Sequence, residues 1–164
     1  MMKIGNKTML TFGLGAIGAY TAYRLWMSSS NTPATIKSVV QNWVDTVCRH
    51  NPQEIVNLYA PDGVLLGTIA ENMKVGREQI IQYFNMFVEK KPCGKLVSMN
   101  VQNIGSDVAI ADGTYIFELI DEEGEKELVP ARYTFVLRRY NGMWKIASHH
   151  SSAQPTTENV KITA

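Results

Sequence analysis

Three histidines occur in the 164 residues, and two of them are adjacent in the run His149-His-Ser-Ser152. An imidazole can accept, donate or relay a proton near neutral pH, and a neighbouring hydroxyl can orient a water or donate to a developing oxyanion. Side chains alternate across a strand, so Trp144, Ile146, Ser148, His150 and Ser152 are expected on one face. Lys145, Ala147, His149 and Ser151 are expected on the other. The first face begins apolar and ends polar, as the wall of a pocket does. His150 and Ser152 are therefore the expected pocket residues, with His149 and Ser151 in support. A core histidine with its hydrogen bonds satisfied is the competing reading.

Other hydroxyls could point into the same pocket. Thr68 follows the apolar run Val64-Leu-Leu66, and Tyr83 lies on the apolar face of a predicted helix. Each also reads as structural, a strand-end threonine and a core tyrosine with its tip satisfied. Tyr115 and Arg132 fall on predicted central strands, where a buried arginine would need an anion. Asp45, Asp112 and Glu118 are the candidate carboxylate bases, and none sits in a compelling context. No Gly-rich phosphate loop and no His-x-Glu or His-x-x-x-His spacing is present. Adjacent histidines on opposite strand faces would chelate one ion poorly, so a His₃ zinc centre is not expected.

These residues need elements to hold them. Thr32-Pro33 supplies a capping hydroxyl and a proline at the first helical turn. Ile36, Val39, Val40, Trp43 and Val47 then form one apolar face of a helix ending near His50. Asn51-Pro52 restarts a short helix through Leu58-Tyr59, which Pro61-Asp62-Gly63 should stop. Val64 to Thr68 reads as a strand and Gly76 to Glu89 as a third helix. After Pro92 the period changes to 2, predicting strands at 95–103, 107–119, 127–139 and 143–152. Asp121–Glu125 and Tyr140-Asn-Gly142 are the hairpin turns between them. Helices followed by an antiparallel meander predict an α+β domain, with helices on one face of a curved sheet.

The net charge is +1, with 45% hydrophobic and 19% charged residues and no basic block. A nucleic-acid partner is not indicated. Lys3 and Lys7 precede an apolar run from Met9 to Tyr23, and Ser28-Ser29-Ser30-Asn31 follows as a polar linker. The run is about 15 residues, short of the roughly 20 that span a bilayer, and extends to Met27 if Arg24 snorkels. Residues 1–31 thus read as a signal-anchor or a signal peptide plus linker. Uncleaved, the segment would place the N-terminus in the cytoplasm and the domain on the far, periplasmic side. Residues 32–155 form the domain and 156–164 a frayed tail. Cys48 reads as a small buried hydrophobe, and whether it pairs with Cys93 is left open by the sequence.

Ala131-Arg-Tyr-Thr-Phe135, Gly142-x-Trp144-Lys-Ile146 and His149-His-Ser-Ser-x-x-Pro155 together resemble the C-terminal signature of the iota-class carbonic anhydrases. These belong with the association domain of calcium/calmodulin-dependent protein kinase II in the nuclear transport factor 2-like superfamily. Leu58-Tyr-Ala-Pro-Asp-Gly-Val-Leu-Leu-Gly-Thr68, Gln82-Tyr-Phe84 and Pro92-x-Gly94 extend the resemblance across roughly residues 36 to 155. It implies a cone-shaped domain, a likeness to enzymes that hydrate CO₂ to bicarbonate, and a homodimer formed through the sheet. A threonine, a tyrosine, a serine and a histidine line the site of metal-free members, and they match Thr68, Tyr83, Ser152 and His150. Tyr115, Arg132, His149 and Ser151 would contact substrate. No metal or other cofactor is expected; a metal requirement is described for some members, which keeps zinc or manganese as the alternative. Gly67 stands where close relatives are expected to carry proline. A non-catalytic association or ligand-binding module, and another small-molecule enzyme on the same fold, are the competing functions.

Overall fold

A computed structural model describes residues 33–121 and 123–155 of the chain. The N-terminal segment 1–31 and the tail 156–164 lie outside the described residues. Among the described residues, no helix is long and apolar enough to cross a membrane.

Helix α1 (Pro33–Val47) buries Ile36, Val40, Trp43, Val44 and Val47, a stripe with the 3.6-residue period. The chain leaves it through His50, whose φ of 55° is left-handed. Helix α2 (Pro52–Val56) is capped by Asn51, whose Oδ1 accepts from the Gln53 and Glu54 amides at 3.1 and 3.4 Å. It is shorter than its sequence suggests, because Tyr59 already belongs to strand β1 (Tyr59–Leu66). The Pro61-Asp62-Gly63 turn signal is a bulge within that strand, not a stop, since the pairing shifts between Tyr59 and Val64. A bulge leaves residues outside the hydrogen-bond ladder, where proline's missing N–H costs nothing.

Strand β2 (Lys74–Val75) leads into helix α3 (Gly76–Phe87), which buries Ile80, Tyr83, Phe84 and Phe87. Strands β3 (Cys93–Asn103), β4 (Val108–Ile120), β5 (Lys126–Tyr140) and β6 (Met143–Ala153) form the predicted meander. The sheet order is β2-β1-β6-β5-β4-β3, with β1 and β6 parallel and the other pairs antiparallel. The helices cover one face, so the architecture is the expected α+β arrangement on a mainly antiparallel sheet.

Trp43 lies near the centre of the core, with its ring against Phe84, Tyr115, Phe117, Phe135 and His149. Cys48 is half-buried rather than a core hydrophobe, and it forms a disulfide with Cys93 across a separation of 45 residues. The bridge ties the end of α1 to the start of β3.

Candidate functional site

Strand β6 decides the site. Leu137 pairs with Ile146, but the next residue of β5, Val136, pairs with Ser148. Ala147 is the extra residue of a β-bulge. Because the side-chain period is 2, one extra residue exchanges the faces of everything beyond it. Ile146 is buried as expected, and then His149 and Ser151 turn inward. His150 is exposed, and Ser152 lies half-buried on the outer face beside Arg132. The expected inward placement of His150 and Ser152 is thus corrected to His149 and Ser151.

The inward residues line a cavity of about 320 Å³ between the sheet, Trp43 of α1 and the aromatic face of α3. At its closed end Ser151 Oγ lies 2.5 Å from Thr68 Oγ1 and accepts from the Tyr115 hydroxyl at 2.5 Å. Tyr83 lines the same cavity. Burial pushes its pKa up to about 12, with a backbone hydrogen bond from Ile69 pulling the other way. Burial also raises that of Tyr115, so both phenols stay protonated.

His149 is 1% exposed, stacked on Phe135 at 4.0 Å between ring centroids. Burial, and then the charge of His150, bring its pKa down to about 3, so its imidazole is neutral at pH 7. Its Nδ1 is 2.9 Å from the buried Tyr59 hydroxyl, and its Nε2 has no partner. The imidazole nitrogen is the acceptor this hydroxyl meets, and a buried phenol rarely goes without one. The phenol therefore donates to Nδ1, and Nε2 carries the hydrogen.

Counting hydrogens gives the site's chemistry. Thr68, Ser151 and Tyr115 own three hydroxyl hydrogens and use two in bonding one another, leaving one to donate. Tyr83 lines the same cavity with its phenol protonated, whereas His149 Nε2 is buried out of reach of a ligand there. The closed end is a set of neutral donors with no cation and no carboxylate, suited to the oxygens of a small oxyanion.

Tyr83, Thr68, Tyr115, His149 and Ser151 are brought together; Arg132 is not. Its guanidinium is exposed on the outer face and donates to Ser152 Oγ at 3.3 Å. The candidate bases are outside too. Asp112 accepts from Thr134 at 2.7 Å, Glu118 pairs with Lys126 at 2.8 Å, and exposed Asp45 accepts from Gln41 at 2.8 Å. Tyr59 was not anticipated, because Leu58-Tyr59 reads as a helix end. His149 is the single side chain of usual metal-ligand type at the closed end, so this donor set does not fit a resident zinc or manganese ion.

The family model described as calcium/calmodulin dependent protein kinase II association domain matches residues 33–155. A Xanthomonas campestris structure assigned to that association domain is 41% identical, covering 77% of this chain and 91% of its own, with a TM-score of 0.72. The association domain of C. elegans CaMKII is 21% identical, covering 73% of this chain and 93% of its own, at a TM-score of 0.60. A Pseudomonas putida nuclear transport factor 2-like protein of unknown function is 21% identical. It covers 83% of this chain and 94% of its own, at a TM-score of 0.67. The fold is thus nuclear transport factor 2-like; ketosteroid isomerase-like and dehydrochlorinase structures share it at 16% identity. No curated protein matches the chain.

Proposed function

Because the chain belongs to the calcium/calmodulin dependent protein kinase II association domain family, on a fold that holds both assembly domains and enzymes, we propose that its cavity is an active site for the reversible hydration of CO₂. The observation that carries this reading is the neutral hydroxyl set lining the cavity: Tyr83 and the hydrogen-bonded Thr68–Ser151–Tyr115 trio. Water adds to the carbon, charge develops on the oxygens of CO₂, and the donors stabilise it in a site shielded from bulk water. The proton released goes to solvent through the mouth, where Asp121 and Glu127 stand. His149 is not the base, since burial holds it uncharged. No step requires a metal.

Stopped-flow CO₂ hydration by the full chain, after chelation, tests the proposal. Ser151→Ala should lower turnover by about 10²–10³-fold, the usual effect of removing an oxyanion donor. Ser152→Ala should leave it unchanged. Equal losses in the two variants, or a folded chain with no turnover, would overturn the assignment.

The outer sheet face favours a second property, assembly as a homodimer. Leu66 and Leu128 are 42% and 66% exposed there, half-buried Ile110 and Val136 pair in the ladder, and Val64 follows beyond Ser148 on the same row. A face of this kind is suited to burial against a second copy. Light scattering reads the mass directly, and a monomer at micromolar concentration would contradict it. The Cys48–Cys93 bridge, with the apolar run Met9–Tyr23 ahead of the domain, supports placement in an oxidising compartment outside the cytoplasm.

A further inference from the structure

In an antiparallel meander the turns alternate between the two ends of the sheet. The β4–β5 turn lies at the cavity mouth, where Asp121 and Glu127 stand. The β3–β4 loop (104–107) and the β5–β6 turn (141–142) lie together at the other end, where the Arg139 amide donates to the Asp107 carbonyl at 2.9 Å. The 13 residues of β4 set the two ends about 40 Å apart, at roughly 3.3 Å per residue.

The ends differ in chemistry. The mouth turn reads Asp121-Glu-Glu-Gly-Glu-Lys-Glu127, almost wholly acidic. The far end instead exposes large apolar side chains: Ile104 is 55% exposed, Tyr140 39% and Met143 57%. Tyr140 and Met143 pair across the Asn141-Gly142 turn, so their side chains share one face. Arg138, Arg139 and Lys145 flank them, against Asp62 and Asp107. Apolar tips among cations suit the surface of an anionic bilayer, with tyrosine at the level of the headgroups.

The chain also enters the domain from this end. The Cys48–Cys93 bridge ties the end of α1 to the start of β3, and Lys37, Ser38 and Gln41 of α1 share a groove with Leu96–Met99 of β3. Helix α1 therefore runs back along β3. Its 15 residues carry Pro33 about 22 Å from the bridge toward the 104–107 loop, at roughly 1.5 Å per residue. Ahead of Pro33 stand the Ser28–Asn31 linker and the apolar run from Met9. A linker that short keeps this end of the domain, rather than the mouth, beside whatever the run inserts into.

We infer that the 104–107 and 140–143 tips form a contact surface for an anionic bilayer, with the cavity mouth facing away from the lipid. The orientation rests on reading Met9–Met27 as a membrane-inserted segment, which lies outside the described residues; the apolar and basic tips stand on the described residues alone. The acidic turn is repelled by the surface that attracts the tips, and the cavity stays open to solvent.

Flotation and spin-label accessibility of the full chain test this, on vesicles of phosphatidylcholine with and without phosphatidylglycerol. Single nitroxides are placed at Ile104→Cys, Met143→Cys and Glu123→Cys, all exposed positions. The Ile104 and Met143 labels should lose contact with an aqueous nickel chelate and gain contact with oxygen dissolved in the lipid. The Glu123 label should stay in water. Adding Ile104→Ser and Tyr140→Ser should return the Met143 label to water. Flotation with all three labels in water would overturn the inference and keep the inserted segment. Flotation only on phosphatidylglycerol vesicles, with the Ile104 and Met143 labels in lipid, would support the contact surface and remove the inserted segment. A lipid-facing Glu123 label would overturn the inference, and a chain that floats on neither vesicle would overturn both readings.

Discussion

The Tyr59 hydroxyl meets His149 Nδ1 at 2.9 Å, in the core and across 90 residues of chain. This contact sets which imidazole nitrogen carries the hydrogen. Replacing Tyr59 with phenylalanine removes the donor and leaves a buried ring nitrogen unpaired, which should cost about 1–3 kcal/mol of stability. The ¹⁵N shifts of His149 should move from the Nε2–H pattern toward a mixture of tautomers. The fold, read by circular dichroism, should be kept. An unchanged His149 spectrum would show that Tyr59 does not set the tautomer.

The buried imidazole also ties stability to pH. Folding lowers the pKa of His149 from 6.5 to about 3, so the folded state resists protonation that the unfolded chain accepts. Above pH 6.5 both states are neutral and nothing is lost. Below it, stability should fall by up to about 1.4 kcal/mol per pH unit until the folded pKa is reached. Melting curves of the wild type and His149→Asn across pH 7 to 4 isolate this contribution from that of the carboxylates. The variant should lose less stability over that interval, and parallel curves would refute the assignment.

Gly67 lies directly under Tyr83, and a Cβ at that position would overlap the phenol ring. The ring is itself stacked on Phe87 at 5.7 Å and has little room to retreat. Gly67→Ala should displace Tyr83 and destabilise the domain by about 1–3 kcal/mol, the usual result of overpacking. CO₂ hydration should fall with it, because Tyr83 lines the cavity. Chemical denaturation and stopped-flow hydration with the same sample check both effects, and unchanged values in both would mean the ring can move aside.

The disulfide closes a loop of 45 residues. On the chain-entropy account that constraint contributes about 4 kcal/mol, less whatever structure the reduced chain retains. Reduction, or Cys48→Ser with Cys93→Ser, should therefore lower Tm without altering the cavity, since neither cysteine lines it. Differential scanning calorimetry with and without reductant reads the shift; an identical Tm would mean the bridge adds nothing to stability.

Much of the architecture was legible one element at a time. The apolar stripe of α1, the Asn51 cap, the change of period after Pro92 and the Asn141-Gly142 hairpin are local signals, each written in a few neighbouring residues. The motif around His149-His-Ser-Ser152 marked the strand that matters, Thr68 and Tyr83 were singled out as hydroxyls for the same pocket, and Tyr115 as a substrate contact on a central strand. Which histidine and which serine face inward was not legible. Alternation carries one bit per strand, and the bulge at Ala147 inverts it. That bulge arises where β6 pairs with β5 on one side and with the irregular parallel strand β1 on the other, a circumstance no residue near Ala147 records. The Tyr59–His149 contact and the Cys48–Cys93 bridge were hidden for the same reason. Sequence by itself determined the elements and the kinds of side chain available, because short-range hydrogen bonding and periodic burial are local; tertiary structure alone decided which of those side chains share the cavity, because strand register and long-range contacts depend on residues far apart in the chain.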